Sequence, residues 1–132
     1  AGITDTITGF TLSGTGTTDT IDMDALTNKD SIEESLTTGT IATTIAANEV
    51  YLVTSTTAGA ADTAAGAATA VNAAATWTLG VAATYFVVVD NNSTGIFMFT
   101  EVTDDNTFDN NELNMIASID AALVAGNITV GT

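Results

Sequence analysis

"TYFVVVDNNSTGIFMFTEV", residues 84–102, decides how this chain is read. It holds two continuous apolar runs of strand length, Thr84–Asp90 and Gly95–Val102. Runs this short, rich in β-branched and aromatic residues, read as strands. Between them "DNNST" supplies Asx residues, whose side chains bond their own backbone and turn the chain. The stretch therefore predicts a β-hairpin at the centre of the core.

Other elements follow outward from the hairpin. "EVYLVTS" (Glu49–Ser55) alternates as a strand does, and alanine-rich Ala58–Trp77 predicts a helix, since Ala has the highest helix propensity. Gly59 and Gly66 weaken that helix by roughly 1 kcal/mol each. Downstream, Leu113, Ile116, Ala117 and Leu123 recur at helical spacing. Asp109 followed by Glu112 has the form of a capping box, which predicts a second helix there. "GNITVGT" closes the chain as a short strand. The order β-α-β-β-α-β implies an α+β, β-rich fold over residues 46–132: a four-stranded antiparallel-type sheet with both helices on one face.

Residues 1–45 read differently. The tetrapeptide TDTI occurs at Thr4–Ile7 and again at Thr18–Ile21. Strand-like pieces cover Ile3–Leu12, Thr18–Met23 and Gly39–Ile45, while charged Asn28–Leu36 reads as a loop or short helical turn. Large apolar residues are few. The segment is expected to be an N-terminal β extension that leans on something else, within one compact domain or subunit.

Composition restricts function more sharply than motif does. The chain of 132 residues has 16 acidic residues, one Lys or Arg and no His, for a net charge of -15. Recognition of a nucleic-acid backbone needs Lys and Arg to displace counterions, so it is excluded. An anionic membrane surface is disfavoured on the same ground. No apolar stretch reaches the ~18 residues of a membrane span, and no basic segment precedes an apolar run as in an intact signal peptide. A 45% hydrophobic composition nevertheless predicts a folded chain. A folded chain that repels itself points to external cations, with Ca2+ the leading candidate. Without Cys or His, thiol chemistry, His-based zinc sites and Ser-His-Asp hydrolysis are unavailable. No glycine loop of the G-x-x-x-x-G-K kind occurs, and no carboxylate pair is singled out for glycoside hydrolysis. The chain reads as a non-enzyme.

Two acidic clusters are candidate metal ligands. The first is Asp19, Asp22 and Asp24. On a strand Asp22 and Asp24 share a face, where two carboxylates must be solvated or bridged by a hard cation. The second is Asp104, Asp105, Asn106, Asp109, Asn111 and Glu112, six oxygen-bearing side chains within nine residues. Read from Asp105, an EF-hand would need Gly at its sixth position and Glu at its twelfth. Asn110 and a Glu at the eighth stand there instead, so any calcium loop is of another kind. Asn91, Asn92 and Asn127 match the N-x-[ST] glycosylation pattern.

"DTITGFTLSGTGTTDTIDMDAL" resembles the ends of calcium-dependent RTX-type regions in bacterial type I-secreted proteins. "ATYFVVVDNNSTGIFMFTEV" followed by "DNNELNMIASI" is similar to the C-terminal parts of large secreted surface proteins of that kind, which are acidic, Cys-free and poor in Lys and Arg. The likeness implies an exported bacterial surface or matrix protein with calcium. Two functions are expected, the first because residues 1–45 are strand-like but poor in core-forming side chains. One is a structural subunit of a self-assembling extracellular layer, sheath or filament, its N-terminal strands pairing with a neighbouring copy. The other is a C-terminal calcium-folding secretion or targeting module of a larger secreted protein.

Overall fold

A computed structural model describes residues 5–12, 19–23, 32–37, 41–44, 50–78, 84–102 and 105–129. The strands are β1 (Asp5–Ile7), β2 (Ile21–Asp22), β3 (Ile32–Thr37), β4 (Ile41–Thr44), β5 (Val50–Thr54), β6 (Ala75–Thr78), β7 (Thr84–Val89), β8 (Thr94–Phe99), β9 (Leu113–Ile119) and β10 (Ile128–Thr129). One α-helix, α1 (Ala64–Ala74), is present among the described residues. The fold is β-rich α+β.

The hairpin forms as predicted. β7 and β8 pair antiparallel from Thr84↔Phe99 to Val89↔Thr94. Around it a mixed sheet runs β1-β9-β8-β7-β5, which β3 extends to six strands. β5 and β3 continue parallel to β7, β9 is antiparallel to β8, and β1 is parallel to β9. Every strand of this sheet except β8 therefore points the same way.

The continuous apolar character of β7 has a structural cause, because both of its faces are covered. Phe86 and Val88 join Tyr51, Val53, Phe97, Phe99 and Phe108 beneath α1. Val87 and Val89 join Val50, Leu52, Ile96, Ile119, Leu123 and Ile128 on the opposite face. The helix contributes Ala67, Ala68, Ala70, Val71 and Ala74 to the first core. Small side chains let its axis approach a layer of aromatic rings. Trp77 meets Tyr51, Phe86 and Phe108 edge to face at 5.3–5.6 Å and donates its indole N–H to the Val71 carbonyl at 2.7 Å.

The second core is closed by the N-terminal segment. Ile7, Phe10, Leu12 and Ile21 pack on it, and Met23 is fully buried in it. β2 and β10 form a separate parallel pair, Ile128↔Ile21 and Thr129↔Asp22. The described parts of both TDTI copies thus pair within their own chain. What this segment leans on is the far face of its own sheet.

Four expectations are corrected. The antiparallel-type four-stranded sheet is a mixed and wider one. The second helix is absent, because Leu113–Ile119 is strand β9 between β8 and β1. Leu113, Met115, Ala117 and Ile119 alternate at a period of two, just as Leu113, Ile116 and Ala117 fit one of 3.6. The outer edge of β8 needs a hydrogen-bonding partner, and that demand decides the outcome. The long alanine helix is shorter: Thr63 caps it by accepting the Gly66 N–H at 3.0 Å, and Ala75–Thr78 leaves it as β6, paired to β4. Finally, part of the charged stretch Asn28–Leu36 belongs to β3, paired to β5.

Candidate functional site

In a chain nearly without cationic side chains, the carboxylates find other partners. Lys29 lies outside the described residues, so no described carboxylate has a described cationic side chain to pair with. Backbone N–H groups take that place, above all around Asp90.

Asp90 directly follows β7 and is 3% exposed. Its Oδ2 accepts the Gly59 N–H at 2.9 Å and the Ala61 N–H at 3.5 Å. Its Oδ1 accepts the N–H groups of Asn92 at 3.1 Å and Ser93 at 2.9 Å, and the Ser93 hydroxyl at 2.9 Å. Burial alone would raise its pKa, but the donors at Asn92, Ser93 and Ala61 outweigh it and hold the carboxyl below its ordinary value. Asp90 thereby pins the loop before α1 onto the hairpin turn. The Ser93 hydroxyl also lies 2.8 Å from Asp62 Oδ1, so its single hydrogen is shared between two carboxylates.

This loop and α1 border a cleft of about 190 Å³, lined by Thr54, Ser55, Thr57 and Gly59 on one side and Thr69 and Ala73 on the other. It opens beside the carboxyl end of β5, where open α/β sheets commonly hold ligands. Its lining is uncharged. Gly66 is needed for the close packing below it, since a Cβ there would come within 2.7 Å of the Gly59 carbonyl oxygen.

Of the first predicted metal cluster, Asp19 and Asp22 are among the described residues. Asp19 is exposed, and its Oδ2 accepts the Thr11 N–H at 2.8 Å. Asp22 is exposed on β2. Asp24 lies outside the described residues. In the second cluster, Asp104 lies outside them too. Asp105 Oδ1 accepts the Thr107 N–H at 2.9 Å, and Asn106 takes a left-handed φ of 62°. Glu112 is 1% exposed and accepts the N–H groups of Val102 and Asp109, each at 3.0 Å. The predicted reciprocity between Asp109 and Glu112 thus forms on the Glu112 side, but it closes a turn. Reciprocal bonds between the Asn72 amide and the Phe108 backbone, both 2.9 Å, fasten this loop to α1. No group of three or more acidic side chains among the described residues could hold a metal ion.

The glycosylation candidates divide. Asn91 and Asn92 are exposed at the hairpin turn. Asn127 is fully buried, donating to the Asp19 carbonyl at 3.1 Å and accepting the Val124 N–H at 3.3 Å, which removes it from reach of a modifying enzyme in the folded chain.

The tie from Asp120 to Gly9 and the Asn127–Asp19 tie had no signal in the sequence, because their partners are more than 100 residues away. Glu101 was likewise unmarked: its Oε1 is buried and has no hydrogen-bond partner among the described residues. Among the described residues no helix is long and apolar enough to cross a membrane. Comparisons with protein-family models, curated proteins and solved structures find no match to this chain.

Proposed function

We propose that this chain is a non-catalytic, self-contained module of a secreted bacterial surface protein, stabilised by the cations of the extracellular medium. One observation carries the reading: the first strands, β1 and β2, are joined to the last, β9 and β10, so the module supplies its own N-terminal partner. This favours the folding module of a larger exported protein over a subunit that lends its first strand to a neighbour. Among the described residues Asp19, Asp90, Asp105, Glu112 and Asp120 are bonded to backbone N–H groups, which supports cations acting mainly by screening mutual repulsion. The uncharged cleft and the lack of His and Cys support a role without catalysis.

Light scattering and thermal melts in calcium chloride, in magnesium chloride and in sodium chloride of matched ionic strength test the proposal. A monomer whose Tm rises in all three is expected. A rise unique to calcium would replace screening by a specific site, and indifference to every salt would remove the cation dependence.

A second reading has its own support. β1 and β3 form the two edges of the sheet and run in the same direction, so translated copies could add β3 to the next β1 as a parallel pair and grow a filament. Both edges are poorly suited to it: β1 has three residues, and β3 has an irregular register between Glu33 and Ser35. Electron micrographs with calcium and with chelator decide. Filaments that disappear in Ser35→Pro, which removes a donor from β3, would establish this reading over the first.

A further inference from the structure

We propose that the carboxylates of Asp90 and Asp105 protect the asparagines that follow them from deamidation. The reaction begins when the backbone nitrogen of the next residue loses its proton to hydroxide and attacks the Asn side-chain Cγ. A C–N bond forms, the C–Nδ2 bond breaks, and ammonia leaves with a proton taken from water. The resulting cyclic imide is opened by water to aspartate or isoaspartate. Exposed turns suit this reaction, because the attacking nitrogen is usually bonded only to solvent.

Here that nitrogen is held. The nitrogen that would attack Asn91 is that of Asn92, which donates to Asp90 Oδ1 at 3.1 Å. For Asn92 it is the Ser93 nitrogen, which donates to the same oxygen at 2.9 Å. For Asn106 it is the Thr107 nitrogen, which donates to Asp105 Oδ1 at 2.9 Å. All three asparagines are exposed. A carboxylate at this distance keeps the hydrogen engaged and opposes formation of an amide anion beside it, as like charge opposes any ionisation. Neutral acceptors serve elsewhere: the Glu112 nitrogen, behind Asn111, donates to the Asp109 carbonyl at 3.1 Å, and the Ile128 nitrogen, behind Asn127, donates to the Ala125 carbonyl. Exposed Asn110 differs, since among the described residues the Asn111 N–H that follows it has no acceptor.

The inference is independent of the proposed function. Its test is site-by-site peptide mass spectrometry of the full chain during incubation at mildly alkaline pH. Asn110 is expected to convert ahead of Asn91, Asn92 and Asn106. Asp105→Ala is the decisive variant, because Asp105 is exposed and the bond described for its side chain is the one to Thr107. Loss of one charged hydrogen bond should speed conversion of Asn106 about tenfold. Asn91 and Asn92 in the same molecules should keep their rates, and Asp105→Ser, which retains an acceptor, should fall between. An unchanged Asn106 rate in Asp105→Ala overturns the proposal. So does an equal rise at Asn91 and Asn92, which would report general loosening.

Discussion

The Asp120 carboxylate receives the backbone N–H of Gly9, at 3.1 and 3.3 Å to its two oxygens, across a separation of 111 residues. The Asp120 N–H in turn donates to the Ile7 carbonyl at 3.2 Å. Together they lock the end of β1 to the end of β9. Gly9 has a φ of 71°, a left-handed conformation that glycine adopts without strain. Asp120→Ala should cost about 1 kcal/mol, less than the ~1.5–3 kcal/mol of bonds to charged groups because this carboxylate is exposed to solvent. Hydrogen exchange should accelerate at Gly9 and nearby amides while β7 and β8 remain protected. Uniform acceleration across the sheet would show instead that the segment is not a separable layer.

Asp90 predicts a pH dependence of definite sign. Its pKa is lowered in the folded chain relative to 3.8, so its stabilising contribution is complete above that pH and is lost as pH falls through the lower folded value. Asp90→Asn retains one acceptor oxygen but turns an NH2 toward existing donors. It should cost about 3 kcal/mol at neutral pH, the upper range for bonds to a charged group. Urea unfolding of both chains from neutral to strongly acid pH measures the gap. The gap should narrow only below the ordinary carboxylate range, and a constant gap would refute the assignment.

Gly95 predicts a packing failure. A Cβ there would run into the Ala61 carbonyl and lie 2.5 Å from the Phe97 ring. The loop that Asp90 holds down thus rests directly on β8. Gly95→Ala should destabilise by about 2 kcal/mol, within the usual range for overpacking. In a chain of this size that is a fall in Tm of roughly 8 °C. Near-ultraviolet circular dichroism should report the disturbed aromatic layer.

Glu101 predicts a gain. Its buried Oε1 has no hydrogen-bond partner among the described residues, and an unsatisfied buried acceptor costs about 1–3 kcal/mol. Glu101→Met keeps the side-chain length and removes both the orphan oxygen and one negative charge. Its Tm should rise, and a fall would mean that the carboxylate has a stabilising partner in solution.

The hairpin was legible because β7 and β8 carry their signal locally, in two apolar runs and a turn between them. The same run held a further message. Six residues with no polar alternation belong to a strand buried on both faces, and a sheet with helices on one face leaves the other to be covered. What covers it could not be read locally, since Phe10, Leu12 and Met23 are scattered among polar residues of a segment that looks core-poor. The second helix failed for the opposite reason: Leu113–Ile119 satisfies two periodicities, and only the unpaired edge of β8 chooses between them. The acidic clusters were visible as composition. The partners described for Asp19, Asp105 and Glu112 are backbone N–H groups placed by turns, which composition does not encode.

The pairing of β1 with β9 and of β2 with β10 also has a kinetic consequence. Contacts between opposite ends of a polypeptide form late and slowly, because a long loop must close before either strand gains anything. A chain emerging through a narrow conduit, from whichever end, cannot complete its sheet until almost all of it has passed. In the exported module proposed above, such a topology would keep the polypeptide threadable and defer its native state to the far side.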